Sequence, residues 1–417
     1  MQEKPGVFSL FAVMALVTGN LIGAGILALP VSMGLAGMTP SLFAMVVYGG
    51  MMFFTAVILA REATEKQDVN FDYPSLYERY LGKIGKYIAT AANMLILYGL
   101  LTAYITGGSK IIGNILNMPD SLILMLIFAA ILIILTSLDL SIIQKYNVAL
   151  IIILGVSFIS LVVMGEEHAS LSHLKRNDWP FAAAAIPLVV TAFHFHNIIP
   201  TLCGDLKWNS STIWKAMLGG MILAFIMNVL WVQTGIGCLP LYGENSILDA
   251  YHSSTPATVP MSNIIHSRAF MVFATAFSML AIVTSFLANG VGLQSFIRDL
   301  LYNSFNVRKK FPVMILTFTP PVVVSMLWPD IFLRAIDVVG GIGIVILFGI
   351  LPCIIAIIKK GNTRMVKITG VIFLVLAILA FCVEVAQETG LAKIVPSAEI
   401  ESLKDHTHMR HIRKISQ

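Results

Sequence analysis

The sequence predicts an all-α membrane protein of about eleven transmembrane helices, the first ten forming two inverted sets of five. In each set the leading helix is broken near mid-membrane. Three observations carry this expectation. Of the 417 residues, 57% are hydrophobic and only 12% charged, roughly half the charge fraction of a soluble domain. Apolar segments of about 20 residues recur along the chain, separated by charged or turn-rich stretches. Two of these segments, five spans apart, carry polar and irregular sequence at their centres, at Thr18–Pro30 and Pro187–Pro200. Irregular backbone at that depth is tolerated only where it is buried in protein or lines a cavity.

Span 1 is placed at 7–36. Its apolar run is too long for the core of a signal peptide, which holds about 7–15 residues, and it reads as a retained helix. Its centre is Thr18-Gly19-Asn20-Leu21-Ile22-Gly23-Ala24-Gly25-Ile26-Leu27-Ala28-Leu29-Pro30. Val7 to Thr18 covers about 18 Å of helix, which puts Gly19 to Gly25 near the midplane. A half-helix starting near Ala24 would offer free N–H groups and a positive dipole end to a carboxylate. The half ending near Thr18 would offer carbonyls to an ammonium group or a cation. Amino acids carry both charges on one carbon and suit two opposed helix ends. Read alone, Gly19-xxx-Gly23 is a helix-packing motif.

Span 2 (40–60) stops at Arg61. Tyr73–Gly82 then has the aromatic and apolar spacing of a short interfacial helix. Span 3 (87–116) brings Asn93, Tyr98 and Tyr104, and Tyr98 is taken as the tyrosine that contacts substrate or closes the pocket. Spans 4 (121–138) and 5 (147–164) complete repeat one, over 7–164; span 5 has no titratable group at mid-depth, since Lys145 lies at its end.

Repeat two covers 181–357 and opens with span 6 (181–202). Its centre reads Phe193-His194-Phe195-His196-Asn197-Ile198-Ile199-Pro200 and falls at the same depth as the span 1 break. Paired interrupted helices in two inverted halves point to a transporter's binding site, which turns the reading of span 1 from packing to binding. Intramembrane histidines default to function, and His titrates near neutral pH. On a regular helix His194 and His196 would point to opposite faces, which argues against a metal site. Phe193 and Phe195 are candidates for stacking on an aromatic substrate, and Asn197 for a polar contact.

Span 7 (214–238) leads into an outer loop, Pro240–Ser267, readable as a lid or as a plain connector. Span 8 (268–299) places Thr284 and Ser285 near mid-span. With Asn20 and span 1 carbonyls they could hold sodium, although such hydroxyls often bond their own backbone. Span 9 (312–328) follows Arg308-Lys309-Lys310. Span 10 (331–357) has Arg334 and Asp337 near its outer end as a gate, and Gly340-Gly341-Ile342-Gly343 as a close-packing or hinge motif. Span 11 (366–388) is peripheral and carries an unassigned Glu384. The chain is thus one transmembrane domain over 1–388 with a basic polar tail at 389–417, in which His406, His408 and His411 read as solvated.

With the N-terminus in the cytoplasm, seventeen Lys and Arg fall on the cytoplasmic side and five (Lys110, Lys175, Arg176, Arg268, Arg334) on the other. The positive-inside rule therefore orients the N-terminus inward. Eleven spans leave the tail outside. No Walker A, HExxH, GxSxG or mid-span carboxylate pair is present, which argues against an ATP-driven pump and an intramembrane hydrolase. The four cysteines show no CxxC spacing and no metal or redox motif. A channel would need a continuous polar lining, whereas polarity here concentrates at two breaks. A sensor would normally carry a soluble output domain, and the tail is short.

At Gly19-Asn20-Leu21-Ile22-Gly23-Ala24-Gly25-Ile26-Leu27-Ala28-Leu29-Pro30 and at Phe193–Pro200 the chain resembles the bacterial aromatic amino acid permeases. These are the tyrosine- and tryptophan-specific transporters of the hydroxy/aromatic amino acid permease family, within the amino acid–polyamine–organocation group. The resemblance implies an inner-membrane importer with a LeuT-like five-plus-five core, usually proton-driven, with no cofactor. Its partners would be an aromatic amino acid, most readily tyrosine, and the bilayer, with no nucleic acid; the oligomeric state stays open. Asn20 stands where the family is expected to carry a hydroxyl residue, and His194 where it is expected to carry a small one. Asn20 with Thr284 and Ser285 is similar to sodium-coupled relatives, so a proton with His194 or His196 and a sodium ion with Asn20, Thr284 and Ser285 both stand. A serine/threonine or other neutral amino acid is the alternative substrate.

Overall fold

Helix-forming apolar sequence dominates, and the only regular elements among the described residues are helices. A computed structural model describes residues 7–67, 71–118, 121–137, 140–305 and 309–400. Eight of its helices are long and apolar enough to cross a membrane, or nine if the bent pair Leu10–Leu21 and Gly25–Ala36 is one span. Two shorter apolar helices, Leu122–Ser137 and Ile152–Glu166, stand at the positions of spans 4 and 5. All eleven predicted positions are therefore helical. Stripes of exposed apolar side chains at helical spacing, such as Ile123, Ile127, Ile131 and Ile134 on span 4, form the lipid-facing surface.

The predicted interfacial helix and span 3 are one run, Tyr73–Ile115, kinked at Gly82. Gly82 has φ 67°, a left-handed conformation that a residue without Cβ adopts freely. Asp72 caps the run by accepting from the Ser75 amide at 2.8 Å, with Pro74 in the first turn. Span 8 is longer than predicted, Arg268–Phe305. In span 10, Phe332–Val338 leads into a π-helical run, Val339–Ile350, and then Leu351–Ile358. The glycines of Gly340-Gly341-Ile342-Gly343 are sites of close packing. A Cβ on Gly340 would collide with the Pro187 carbonyl of span 6, and one on Gly343 would lie 2.7 Å from Ile96 of span 3.

The outer loop holds two short helices, Ile247–His252 and Thr258–Ile265. It is packed down as a cap. The Ala257 amide donates to the Leu27 carbonyl at 3.0 Å, and the Leu333 amide donates to Ser254 Oγ at 2.8 Å. After span 11 the chain returns to the same face, where the Ser397 amide donates to Asp178 Oδ2 at 2.7 Å. Asp178 in turn donates its amide to the carbonyl of Ala36, the last residue of span 1. Span 11 therefore ends on the face where span 1 ends, as an odd number of crossings requires. Residues 401–417 with His406, His408 and His411, the N-terminal residues with Lys4, and the side chains of Ala24 and Lys145 lie outside the described set.

Candidate functional site

Span 1 is helical over Val7–Leu21 and again over Ala24–Ala36, with Gly23 between at φ −127°, ψ −150°. The halves bend by 54°. The first half ends three residues later than the sequence suggests. Ile22 donates to the Thr18 carbonyl at 3.1 Å, so that carbonyl already serves the helix. Thr18 is pinned by its own hydroxyl, which lies 2.9 Å from the Met14 carbonyl and 3.2 Å from the Gly220 carbonyl of span 7. The carbonyls left over at this helix end are those of Gly19 to Ile22. The amides left over at the second half begin at Gly23, Ala24 and Gly25.

Span 6 breaks in register with it. The helix Ile186–Ala192 ends at Phe193, and helical structure resumes at His196–Ile198 and Ile199–Asp205, with Pro200 in the first turn. The two broken spans touch. A Cβ on Gly25 would lie 2.9 Å from the Ala192 Cα, closer than side chains normally approach. Gly25 is glycine because the second half of span 1 crosses the end of a half-helix of span 6 there. Gly23 faces span 8 and span 3, where its Cβ would meet Ser285 Oγ at 3.3 Å and the Tyr104 hydroxyl at 3.7 Å. Gly19 is exposed with open space around it.

The histidines do not point to opposite faces. Non-helical torsions at Phe193 and Phe195 bring the His194 and His196 rings parallel, 4° apart in plane and 5.8 Å between centroids. Each also stacks at 4.9 Å on Phe348, from the π-helical run of span 10. His196 Nε2 pairs with Thr55 Oγ1 at 3.0 Å, and the Tyr73 hydroxyl donates to the His196 carbonyl. His194 Nε2 and His196 Nδ1 are buried without a hydrogen-bond partner among the described residues.

A cavity of about 660 Å³ leads to this point. Its deep end is lined by Asn20, His194, Asn197, Phe348, Ala288 and Asn289, and its walls by Thr90, Asn93, Ile96 and Phe296. Its mouth is lined by Asp72, Tyr73, Ser75, Lys86 and Asp299, at the face where span 1 begins. The opposite end is covered by the packed loop 240–267, and on the same face Lys110 pairs with Asp330 and Arg334 with Glu388. This is a vestibule open to one side.

Several expectations need correcting. Phe193 and Phe195 are fully buried and turned away from the cavity. Phe193 packs on Gly49 and on Phe225 at 6.1 Å, and Phe195 lies beside His196. The aromatic surface facing the cavity is Phe348 with Phe296, and nothing in the local sequence marks either ring. Tyr98 is not at the break, because its hydroxyl donates to the Leu316 carbonyl of span 9 at 2.6 Å. Tyr104 takes that place, its hydroxyl beside Gly23 together with that of Ser285. Thr284 donates to its own backbone at Leu280, 2.6 Å away, so of the hydroxyl pair it is Ser285 that meets span 1. Arg334 pairs with Glu388 in span 11, not with Asp337.

The geometry can be set beside known proteins. The tryptophan/tyrosine permease family model matches residues 7–387. The tyrosine-specific transport system 1 of Haemophilus influenzae is 30% identical over 342 residues, spanning 78% of this chain and 82% of that protein. The tryptophan-specific transport protein of the same organism is 25% identical over 376 residues, 85% and 88% of the two chains. Among solved structures, MhsT in complex with L-phenylalanine aligns over 92% of this chain and 99% of its own, with TM-score 0.62 and 16% identity. That likeness establishes the fold as LeuT-like.

Proposed function

The chain belongs to the tryptophan/tyrosine permease family, and from that premise we propose that it is an ion-coupled secondary importer of aromatic L-amino acids, with tyrosine the favoured substrate. That it is an amino acid transport protein, and not an enzyme, follows from the family; substrate and coupling are the proposal. The observation that carries it is the junction of two broken helices at the blind end of a vestibule lined by Phe348, His194, Asn20 and Asn197.

In this reading the substrate carboxylate meets the amides of Gly23, Ala24 and Gly25, with the Tyr104 hydroxyl donating to it. Its ammonium faces the carbonyls of Gly19 to Ile22 and the break after Phe193. These opposed dipole ends bind both charges of one zwitterion without burying a full countercharge. The side chain lies over Phe348 and Phe296, with Asn93, Asn289 and His194 Nε2 within the same cavity to pair a phenolic hydroxyl. The relative named tyrosine-specific and a fold neighbour crystallised with phenylalanine favour a ring of this size.

Alternating access is proposed as movement of repeat one (7–164) against repeat two (181–357) around this junction. The chain would sit in a bacterial inner membrane, N-terminus inward, so that the vestibule opens to the cytoplasm. Proton symport is favoured, with sodium held by Asn20, Ser285 and Thr284 as the second reading. The Ser285 contact with the span 1 break supports it, and a donating hydroxyl such as Thr284 still has a lone pair for a cation.

The test is uptake of labelled tyrosine into proteoliposomes under separately imposed pH and sodium gradients. Accumulation driven by the pH gradient and competed by tryptophan and phenylalanine is expected. Accumulation indifferent to both gradients would reject ion coupling, and competition by serine but not by aromatic amino acids would reject the substrate.

A further inference from the structure

Span 11 lies outside the two repeats and carries one intramembrane acid. Glu384 is 2% exposed, and its Oε1 has no hydrogen-bond partner among the described residues. It reaches the interface with span 10 because residue 341 there is glycine; a Cβ on Gly341 would sit 2.6 Å from Cβ and Cγ of Glu384. One turn earlier on span 10, Asp337 also buries an unpartnered oxygen, Oδ1. Spans 10 and 11 run antiparallel, with Arg334 against Glu388 at the outer rung and Gly341 against Glu384 at the inner one. Asp337 lies between these rungs, within electrostatic reach of Glu384 and Glu388.

The cation Arg334 is within electrostatic reach of Glu384 but gives its hydrogen bonds to Glu388. Arg334 spends its fork on Glu388, at 3.0 Å from Nε to each carboxylate oxygen and 2.6 Å from Nη2 to Oε2. Also around the pair, among the described residues, are two carboxylates, a tyrosine and a histidine. Tyr251 and Glu399 approach from the outer loop and the C-terminal segment. Asp178 is occupied by the Phe181 and Ser397 amides, and His252 lies 3.9 Å from Glu399. The half-helix Ile186–Ala192 of span 6 contributes Pro187 and Thr191 beside Gly340 and Gly341, and no charge.

Two neighbouring carboxyl groups in a water-poor site do not both ionise, and an unpartnered buried carboxylate oxygen is costly. One shared proton removes both penalties, because the protonated oxygen donates to the other carboxylate. We propose that Asp337 and Glu384 are a proton-binding pair that holds one proton between them when the outer end is closed, as it is here. The proton comes from water on the outer face, where a cavity of about 310 Å³ opens beside Arg334 and Glu388. Its loss leaves two repelling carboxylates between spans 10 and 11, next to the Leu333–Ser254 hydrogen bond of the outer cap. Outer acidity thereby favours the closed outer end and the open vestibule.

The consequence for transport rests on the reading of the chain as an amino acid importer; the protonation itself does not. Infrared spectra of the purified protein at neutral pH should show the carbonyl stretch of a protonated carboxylic acid. That band should shift in Glu384→Gln or Asp337→Asn and vanish when both are combined. In proteoliposomes, wild-type tyrosine counterflow should change with outer pH by up to about tenfold per unit as the pair titrates, and Glu384→Gln should hold the change under about twofold. Absence of the band in the wild type, or a Glu384→Gln variant with the wild-type pH profile, overturns the proposal. A wild type that shows the band but exchanges no aromatic amino acid overturns the importer reading and leaves the pair standing.

Discussion

Adding one methyl group at Gly25 tests whether the two broken helices form one site. The Cβ of Gly25→Ala would lie 2.9 Å from the Cα, 3.1 Å from the N and 3.3 Å from the Cβ of Ala192. Carbon atoms settle at about 3.5–4.0 Å, so the half-helices must part by about 0.5–1 Å. The obstacle is largely backbone, so no rotamer change relieves it. Overpacking of this kind costs about 1–3 kcal/mol. If the cost falls on the substrate-competent arrangement, tyrosine affinity drops about 5- to 150-fold. Gly19→Ala is the matched control, since its Cβ meets nothing within 4 Å and the carbonyl offered to substrate is kept. Binding of labelled tyrosine to purified protein, with size-exclusion profiles to confirm folding, separates the two. A folded Gly25→Ala protein that binds tyrosine as the wild type does refutes the claim that the Gly25–Ala192 contact sets the site.

Tyr104→Phe should weaken tyrosine binding by about tenfold, the value of a hydrogen bond to a charged acceptor, while Tyr98→Phe, whose hydroxyl serves the Leu316 carbonyl, changes it less than about twofold; the same binding assay ranks them. Thr55→Val removes the partner of a buried His196 and should cost about 1–3 kcal/mol of stability, read as a lower melting temperature in detergent. Glu62 is 1% exposed and pairs with Arg79, Tyr80 and Lys359; Glu62→Gln should destabilise by about 1–3 kcal/mol, between an exposed and a buried pair, in the same melting measurement. Burial opposes the Lys359 charge, but the bonds it donates to Glu62 and Glu65 outweigh that and raise its pKa. Stability from this ammonium is therefore full below the ordinary lysine value of about 10.4 and is lost as pH rises through the raised one. A melting temperature that falls in alkali for wild type but not for Lys359→Met is the expected result.

The breaks were legible because glycine, asparagine and histidine at mid-membrane have few structural excuses. Where each half-helix ends was not, because tertiary contacts decide it: Thr18 stays helical through its bonds to Met14 and Gly220. Side-chain direction failed wherever helix periodicity was assumed across non-helical torsions. That assumption put His194 opposite His196, and ring type alone, which proposes Phe193 and Phe195 for stacking, says nothing of where they point. Tyr98 and Tyr104 are six residues apart, about 240° around a helix, so only one can face span 1, and nothing local says which. Phe348 and Thr55 act through partners far away in sequence and carry no local signal.

Span 10 connects what the sequence presents as separate features. At its outer end Asp337 lies between Glu384 and the Arg334–Glu388 pair. Gly340 lets it press on Pro187, and Thr191 reaches back to the Ile336 carbonyl at 3.2 Å, which ties it to the first half of span 6. Phe348 lies under both histidine rings, and the adjacent Leu347 carbonyl accepts from Tyr77 at 2.6 Å. Just beyond its inner end, Lys359 closes the charge cluster on Glu62. A regular α-helix would transmit a push at one end as rigid-body motion. The π-helical run Val339–Ile350 begins two residues after Asp337 and contains Phe348, and π segments are rare and frequent at functional sites. On the proton-pair proposal, a change of charge at Asp337 and Glu384 would act on span 10 first at the start of this run. Because Phe348 lines the cavity and stacks on both histidine rings, such a change would reach the proposed substrate site through span 10 itself.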